Sequence, residues 1–247
     1  KGPEPECVET GVMSDGTILA FVGLERTGGI VTFDITNPAS TTFQDFLNVR
    51  NWRVGEDADD DELTKNLNDG PESLVFVSAQ DSPIGVELLL AATPLAARMT
   101  AYAVTKAEVQ RPDDGSCATT ATCGYIPTAD GGTGELLYTF EDICAMGLAT
   151  GTVCGATTYK LTHAGSITVG GWDEDAAEHI AYDATTQRVF VASAEAASVS
   201  VVSIADPTAP TIVDTLDIST ALATAQCGNF AAESVQSVAI ATSTSYS

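Results

Sequence analysis

Apolar and polar residues alternate in short runs along this chain, and the runs repeat. Ile18-Leu19-Ala20-Phe21-Val22-Gly23 aligns with Gln187-Arg188-Val189-Phe190-Val191-Ala192. The register continues, so that Gly29-Ile30-Val31-Thr32-Phe33-Asp34-Ile35-Thr36-Asn37-Pro38 falls on Ser198-Val199-Ser200-Val201-Val202-Ser203-Ile204-Ala205-Asp206-Pro207. A weaker third copy runs through Glu87-Leu88-Leu89-Leu90-Ala91-Ala92 and Arg98-Met99-Thr100-Ala101-Tyr102-Ala103-Val104. Each copy reads as two short strands of β-branched or apolar residues joined by a tight connection.

A further strand is expected before each pair, introduced by a recurring Glu-x-aliphatic triplet. The instances are Glu6-Cys7-Val8, Glu72-Ser73-Leu74, Glu178-His179-Ile180 and Glu233-Ser234-Val235. A fourth strand follows the Asn-Pro or Asp-Pro turn, at Thr42–Val49 and Thr211–Ile218. The predicted unit is a four-stranded antiparallel meander of roughly 40–45 residues, the size of a propeller blade. The fold class is therefore all-β, built of β-propeller blades. Three units are readable, and a fourth begins at Glu233. Helical periodicity is nearly absent; only Thr139–Leu148 and Thr220–Ala225 have room for a helical turn or two. The region from Thr105 to Gly171 is irregular, rich in Gly, Thr and Ala, and ends in one predicted strand at Gly165–Trp172.

Charge narrows the function classes. Asp and Glu number 34 against 10 Lys and Arg, for a formal net charge of -24. Nucleic-acid binding needs clustered cations, so it is excluded as a default. Docking on anionic lipid is disfavoured for the same reason. No apolar run approaches the roughly 20 residues of a membrane span, so no membrane insertion is expected in this segment. Such acidity suits a calcium-rich or saline exterior, where cations and screening offset self-repulsion. The chain opens Lys1-Gly2-Pro3-Glu4 and closes in a Ser/Thr-rich stretch at Ser247, so both ends read as cuts in a longer polypeptide.

The six cysteines are Cys7, Cys117, Cys123, Cys144, Cys154 and Cys227. No C-x-x-C pair is present, and two histidines, His163 and His179, are too few for a zinc finger. Disulfides outside the cytosol are the expected reading. Short loops favour Cys117–Cys123 and Cys144–Cys154, leaving Cys7–Cys227 to join the two ends. The alternative is that some stay free and buried.

The repeats resemble the secreted β-propellers of the choice-of-anchor I type, within the wider YVTN-like group. The resemblance rests on Gly2-Pro3-Glu4-Pro5-Glu6, on Ala20–Arg26, and on Gly29–Pro38. It extends to Asp69-Gly70-Pro71-Glu72, Asp81-Ser82-Pro83, Ala177–Asp183 and Ile204-Ala205-Asp206-Pro207. It implies that the N-terminal units are of a late-blade type and that the Ala-Glu-x-Ile-Ala-Tyr-Asp unit is of a first-blade type. That order implies a partial propeller in a tandem array or a permuted one. The implied organisation is residues 1–104 as two blades, 105–164 as a Cys-rich, disulfide-stapled linker or insertion, and 165–247 as one blade and the start of another. Members of the family include surface or matrix glycoproteins and atypical alkaline phosphatases.

Two candidate cation sites follow. Inner strands of blades line a central channel, which would bring Glu6, Glu72, Glu178 and Glu233 around one axis. Converging carboxylates repel unless a cation compensates, and Ca²⁺ with its 6–8 oxygen ligands suits such a ring. The competing reading is that each Glu caps backbone N–H groups. The second site is the acidic run with Asp57, Asp59 and Asp61, continuing to Asp69. It lacks the Gly and Glu positions of an EF-hand loop, so it is either another kind of calcium loop or a solvated surface loop.

Catalytic signatures such as G-x-S-x-G, H-E-x-x-H and the P-loop are missing from the sequence. A phosphoesterase would have to use a carboxylate–Ca²⁺ site with metal-bound water, with Arg26 or Arg188 as phosphate clamps. The expected function is an extracellular or cell-surface structural or adhesive module, stabilised by Ca²⁺. Its expected partners are copies of itself or neighbouring propeller domains, in a filamentous or tandem assembly. The alternative is a calcium-dependent phosphoesterase of the atypical alkaline phosphatase or phytase-like propeller type.

Overall fold

The computed structural model describes residues 2–49, 70–108, 157–171 and 176–219. These form three four-stranded antiparallel sheets, each a meander. The first holds β1 (Pro5–Val12), β2 (Ile18–Leu24), β3 (Ile30–Asp34) and β4 (Thr42–Leu47). The middle sheet holds β5 (Ser73–Val77), β6 (Leu88–Thr93), β7 (Arg98–Glu108) and β8 (Thr157–Thr168). The third holds β9 (His179–Asp183), β10 (Arg188–Ser193), β11 (Ser198–Ser203) and β12 (Thr211–Asp217). The all-β class and the meander unit read from the repeats are present. Closure into a ring is not a property of the described residues.

The strand predicted at Gly165–Trp172 overlaps β8 only at Gly165–Thr168, since β8 runs from Thr157 to Thr168. It pairs with β7 from Arg98↔Thr168 to Glu108↔Thr157. Residues 109–156 thus lie in sequence between the third and fourth strands of one sheet. Cys117, Cys123, Cys144 and Cys154 fall in that stretch; they and Cys227 lie outside the described residues. The predicted helical turn at Thr139–Leu148 also lies outside them. So does Thr220–Ala225, although Ile218 and Ser219 just before it are helical.

The sheets stack face to face in chain order, with inner strands β1, β5 and β9 side by side. Period-two alternation sends successive side chains of a strand to opposite faces. On β6 both faces are covered, so Leu88 through Thr93 are all buried. Leu89 and Ala91 join Leu19, Phe21, Ile30 and Tyr102 in one core between the first and middle sheets. Leu88, Leu90 and Ala92 join Val189, Val191 and Val202 in a second core between the middle and third. That accounts for the continuous aliphatic run Leu88–Ala92, which has no alternation because it has no solvent side.

The third and fourth strands carry a register shift at the same place in every sheet: Thr32/Phe33, Ala101/Tyr102 and Val201/Val202. A bulge there raises the local right-handed twist, so each sheet turns its outer strand away from the inner ones. The turns between second and third strands use left-handed residues: Gly28 and Gly29 in the first sheet, Ala97 in the middle and Ala197 in the third. Where glycine is absent, alanine holds a positive φ, at a cost of about 1–2 kcal/mol.

Side-chain hydrogen bonds join neighbouring sheets. Gln44 and Asp45 of β4 accept from the backbone N–H groups of Tyr159 and Leu161 on β8, at 3.2 and 3.1 Å. Burial raises the Asp45 carboxyl pKa. At the far end of that junction Lys106 and Tyr159 both donate to Asp15, and the ammonium sits 4.9 Å from the Tyr159 ring centre. Hydrogen bonds from Lys106, from the Thr17 backbone and from Tyr159 hold the Asp15 carboxyl far below the ordinary aspartate range. Between the middle and third sheets, the Tyr182 hydroxyl donates to the Asp81 carbonyl at 2.8 Å.

Gly165 marks a close backbone approach at this second junction. A Cβ there would collide with the backbone of Pro207 and Thr208 in the β11–β12 turn. A backbone obstacle cannot rotate aside, so Gly165→Ala should cost about 1–3 kcal/mol through overpacking. Urea unfolding of the variant beside the parent checks this. An unchanged midpoint would mean that the two sheets are not held in this contact.

Candidate functional site

The Glu-x-aliphatic triplet is a structural rule with a chemical by-product. Alternation places its third residue against the preceding sheet and its second against the following one. Leu74 packs into the core shared with the first sheet, and Ile180 packs against the core shared with the middle sheet. Ser73 accepts the Ile180 N–H at 3.3 Å, across to the third sheet. The Glu stands at the strand entrance. Its backbone N–H closes on the second strand: Glu72 to Ala92 and Glu178 to Ala192, each at 3.1 Å. So the glutamate backbone is bonded and the carboxylates are left at the sheet ends.

Of the four glutamates in the predicted ring, three are described, and Glu72 senses the other two. Partial desolvation, then the charges of Glu25, Glu6 and Glu178, raise the Glu72 carboxyl pKa, while His179 nearby opposes the rise. His179 itself is exposed. Glu233 lies outside the described residues, as do Asp57, Asp59, Asp61 and Asp69.

Among the described residues, one acidic group is one the sequence reading missed in part. Carboxylate oxygens of Glu4, Glu6 and Glu25 lie within 4.8 Å of one another. Glu25 follows β2 and Glu4 precedes β1. The Glu25 N–H donates to the Glu4 carbonyl at 2.9 Å, which fixes the two segments side by side. The antiparallel β1–β2 register was the available signal, since it brings residues before β1 level with those after β2. Two oxygens on opposite sides of a Ca²⁺ ion, each at about 2.4 Å, stand about 4.8 Å apart, so the spacing fits one hard cation.

Arg26 already serves this group. Its Nε lies 2.6 Å from Glu4 Oε2 and its Nη2 lies 3.2 Å from Glu25 Oε1. Hydrogen bonding to Glu4, with the charges of Glu25 and Glu4, raises the guanidinium pKa. The phosphate-clamp assignment for Arg26 therefore meets a guanidinium engaged by two carboxylates. Arg188 is exposed on β10, paired in register with Asp183.

The Cys7 disulfide is a correction. Cys7 is a free thiol, and its Sγ donates to the Pro71 carbonyl at 3.3 Å. The reason is the triplet itself: its middle position points into the junction with the middle sheet. There Cys7 packs beside Pro71 and Gly23. Burial, with small contributions from the Glu72 and Glu6 charges, pushes the thiol pKa up to about 11 against one backbone hydrogen bond from Gly23. The group is protonated and unreactive at neutral pH.

The comparisons with known proteins support a limited statement. A family model for the Choice-of-anchor I domain matches residues 1–38, which span β1 to β3 of the first sheet. No curated protein matches the chain. Among the described residues, no helix is long and apolar enough to cross a membrane.

Glu72 gives a pH prediction. Its folded carboxyl holds a proton more tightly than the unfolded one, so its share of stability is full below about 4.5, the ordinary glutamate value, and is lost as pH rises through the higher folded value. Glu72→Gln should therefore flatten the fall in melting temperature above pH 4.5. Thermal melts of both proteins from pH 4 to pH 7 in chelator check it. Parallel curves would show that neither burial nor the neighbouring carboxylates raise the Glu72 pKa.

Proposed function

We propose that the chain is an extracellular structural module of β-propeller blades, built to be continued by further blades from copies of itself or from neighbouring propeller domains. The observation that carries this reading is the outer face of the first sheet. It carries Val8, Val12, Ile18, Val22 and Val31, and Val8 and Val12 are 65 % and 61 % exposed. A soluble chain rarely displays such a face without a partner for it. The Choice-of-anchor I match and the net charge of -24 support a surface or extracellular setting. The blades would add to one another in a tandem or filamentous array.

Calcium belongs to this reading as a stabiliser. Glu4, Glu6 and Glu25 would hold the ion, with Glu72 and Glu178 adding to the field. Arg26 competes for the same oxygens. A ligand that binds only the folded state adds about 2.7 kcal/mol at a hundredfold excess over Kd. Millimolar Ca²⁺ should raise the melting temperature over that in chelator, and Arg26→Gln should enlarge the rise by freeing Glu4 and Glu25. A midpoint indifferent to Ca²⁺ in both proteins removes calcium from the reading.

The acidic group also favours a second reading, a calcium-dependent phosphoesterase with metal-bound water as nucleophile. Turnover of a chromogenic phosphoester with and without Ca²⁺ separates the two. No turnover is expected, because the Arg26 guanidinium beside the group is engaged by carboxylates. Calcium-dependent turnover abolished by Glu6→Gln would replace the structural reading with the catalytic one.

A further inference from the structure

The turn between β1 and β2 carries the dipeptide Asp15-Gly16. Gly16 holds a φ of 87°, a left-handed value that suits glycine. An Asp-Gly pair is chemically labile, because glycine has no Cβ to shield its nitrogen or restrict the turn. The Gly16 nitrogen attacks the Asp15 Cγ, a C–N bond forms, and a carboxyl oxygen leaves as water with the amide proton. Water then reopens the five-membered succinimide. Cleavage at Cγ returns aspartate, and cleavage at the main-chain carbonyl gives isoaspartate. The water lost is regained, so the sum is an isomerisation that needs no other reactant.

The turn holds both reacting groups in other bonds. The Gly16 N–H donates to the Met13 carbonyl at 2.9 Å. Asp15 Oδ1 accepts from the Thr17 N–H at 3.0 Å and from the Tyr159 hydroxyl at 2.7 Å, while Oδ2 accepts from Lys106. These donors keep the carboxylate ionised. An ionised carboxylate is a poor electrophile, since its oxygen must be protonated before it can leave. Lys106 lies on β7 and Tyr159 on β8, both in the middle sheet. Glu87, just before β6, accepts the Ser14 N–H at 2.8 Å and so grips the same turn. The Asp15 side chain is 41 % exposed, so water reaches it.

We propose that Asp15-Gly16 is a latent isoaspartate site, locked while the first sheet is docked on the middle sheet and released when the two separate. Isomerisation puts an extra methylene into the backbone of the turn and leaves the free carboxylate on Cα. Lys106 and Tyr159 then lose the acceptor they held, and the sheets redock less tightly. Separation of the first two sheets is thus recorded covalently, in one direction.

The test is prolonged incubation of the full chain at neutral pH, with isoaspartate at each Asp-Gly pair read by peptide mapping after methyltransferase labelling. Asp114-Gly115 and Asp130-Gly131 in the same chain serve as references. The parent should form isoaspartate at Asp15 far more slowly in buffer than in urea. Lys106→Ala with Tyr159→Phe should raise the rate at Asp15 in buffer about fivefold, the effect of an exposed charge-assisted bond on a barrier, with the references unchanged. Circular dichroism shows whether this variant is folded. If it is not, Tyr159→Phe alone, which keeps the ring and removes only the donor, carries the comparison. Equal rates at Asp15 in buffer and in urea overturn the proposal. So does a folded variant with the parent's rate at Asp15, or a rise that the references share.

Discussion

Everything in this molecule hangs on the middle sheet being buried on both sides. Strand β6 has no solvent face, and its six residues are divided between two cores. A sheet of this kind cannot be stable alone, because at roughly 25 cal/mol per Å² each apolar face left in water forfeits most of its driving force. The first and third sheets are therefore part of what lets the middle one exist. The Glu72 carboxylate depends on the same stacking, because the charges of Glu25, Glu6 and Glu178 reach it where strand entrances of neighbouring sheets are brought level.

The order of forces at that acidic edge is instructive. Backbone hydrogen bonds fix Glu72 and Glu178, and packing fixes the residue two places on. The carboxylates are carried along. Their mutual repulsion is tolerated because it is paid once, at a rim open to water, while the aliphatic contacts recur across each junction. Arg26 relieves the worst crowding at Glu4 and Glu25.

Much of this was legible in the sequence. The Glu-x-aliphatic triplet located the first strand of each sheet, and the repeat Gly29–Pro38 on Ser198–Pro207 located β3 and β11. Those signals are local, since alternation and turn residues act over a few positions. The pairing of β7 with β8 was harder to read because nothing near Glu108 announces a partner at Thr157. Glu4 and Glu25 escaped notice because neither belongs to a repeat; only the β1–β2 register brings them together. Cys7 was misjudged because it was paired by elimination, whereas its place in the triplet already aimed it into a junction.

The outer hairpin of the middle sheet has a different consequence. Glu108 and Thr157 stand opposite each other in the ladder, so the chain that leaves the sheet at one returns beside it at the other. The cost of closing a loop between fixed, adjacent ends rises by only about 0.6 kcal/mol for each doubling of its length. The ladder from Arg98 to Glu108 supplies the closure, so the length of the connection costs the sheet little. The edge of the middle sheet is in that sense a mounting point.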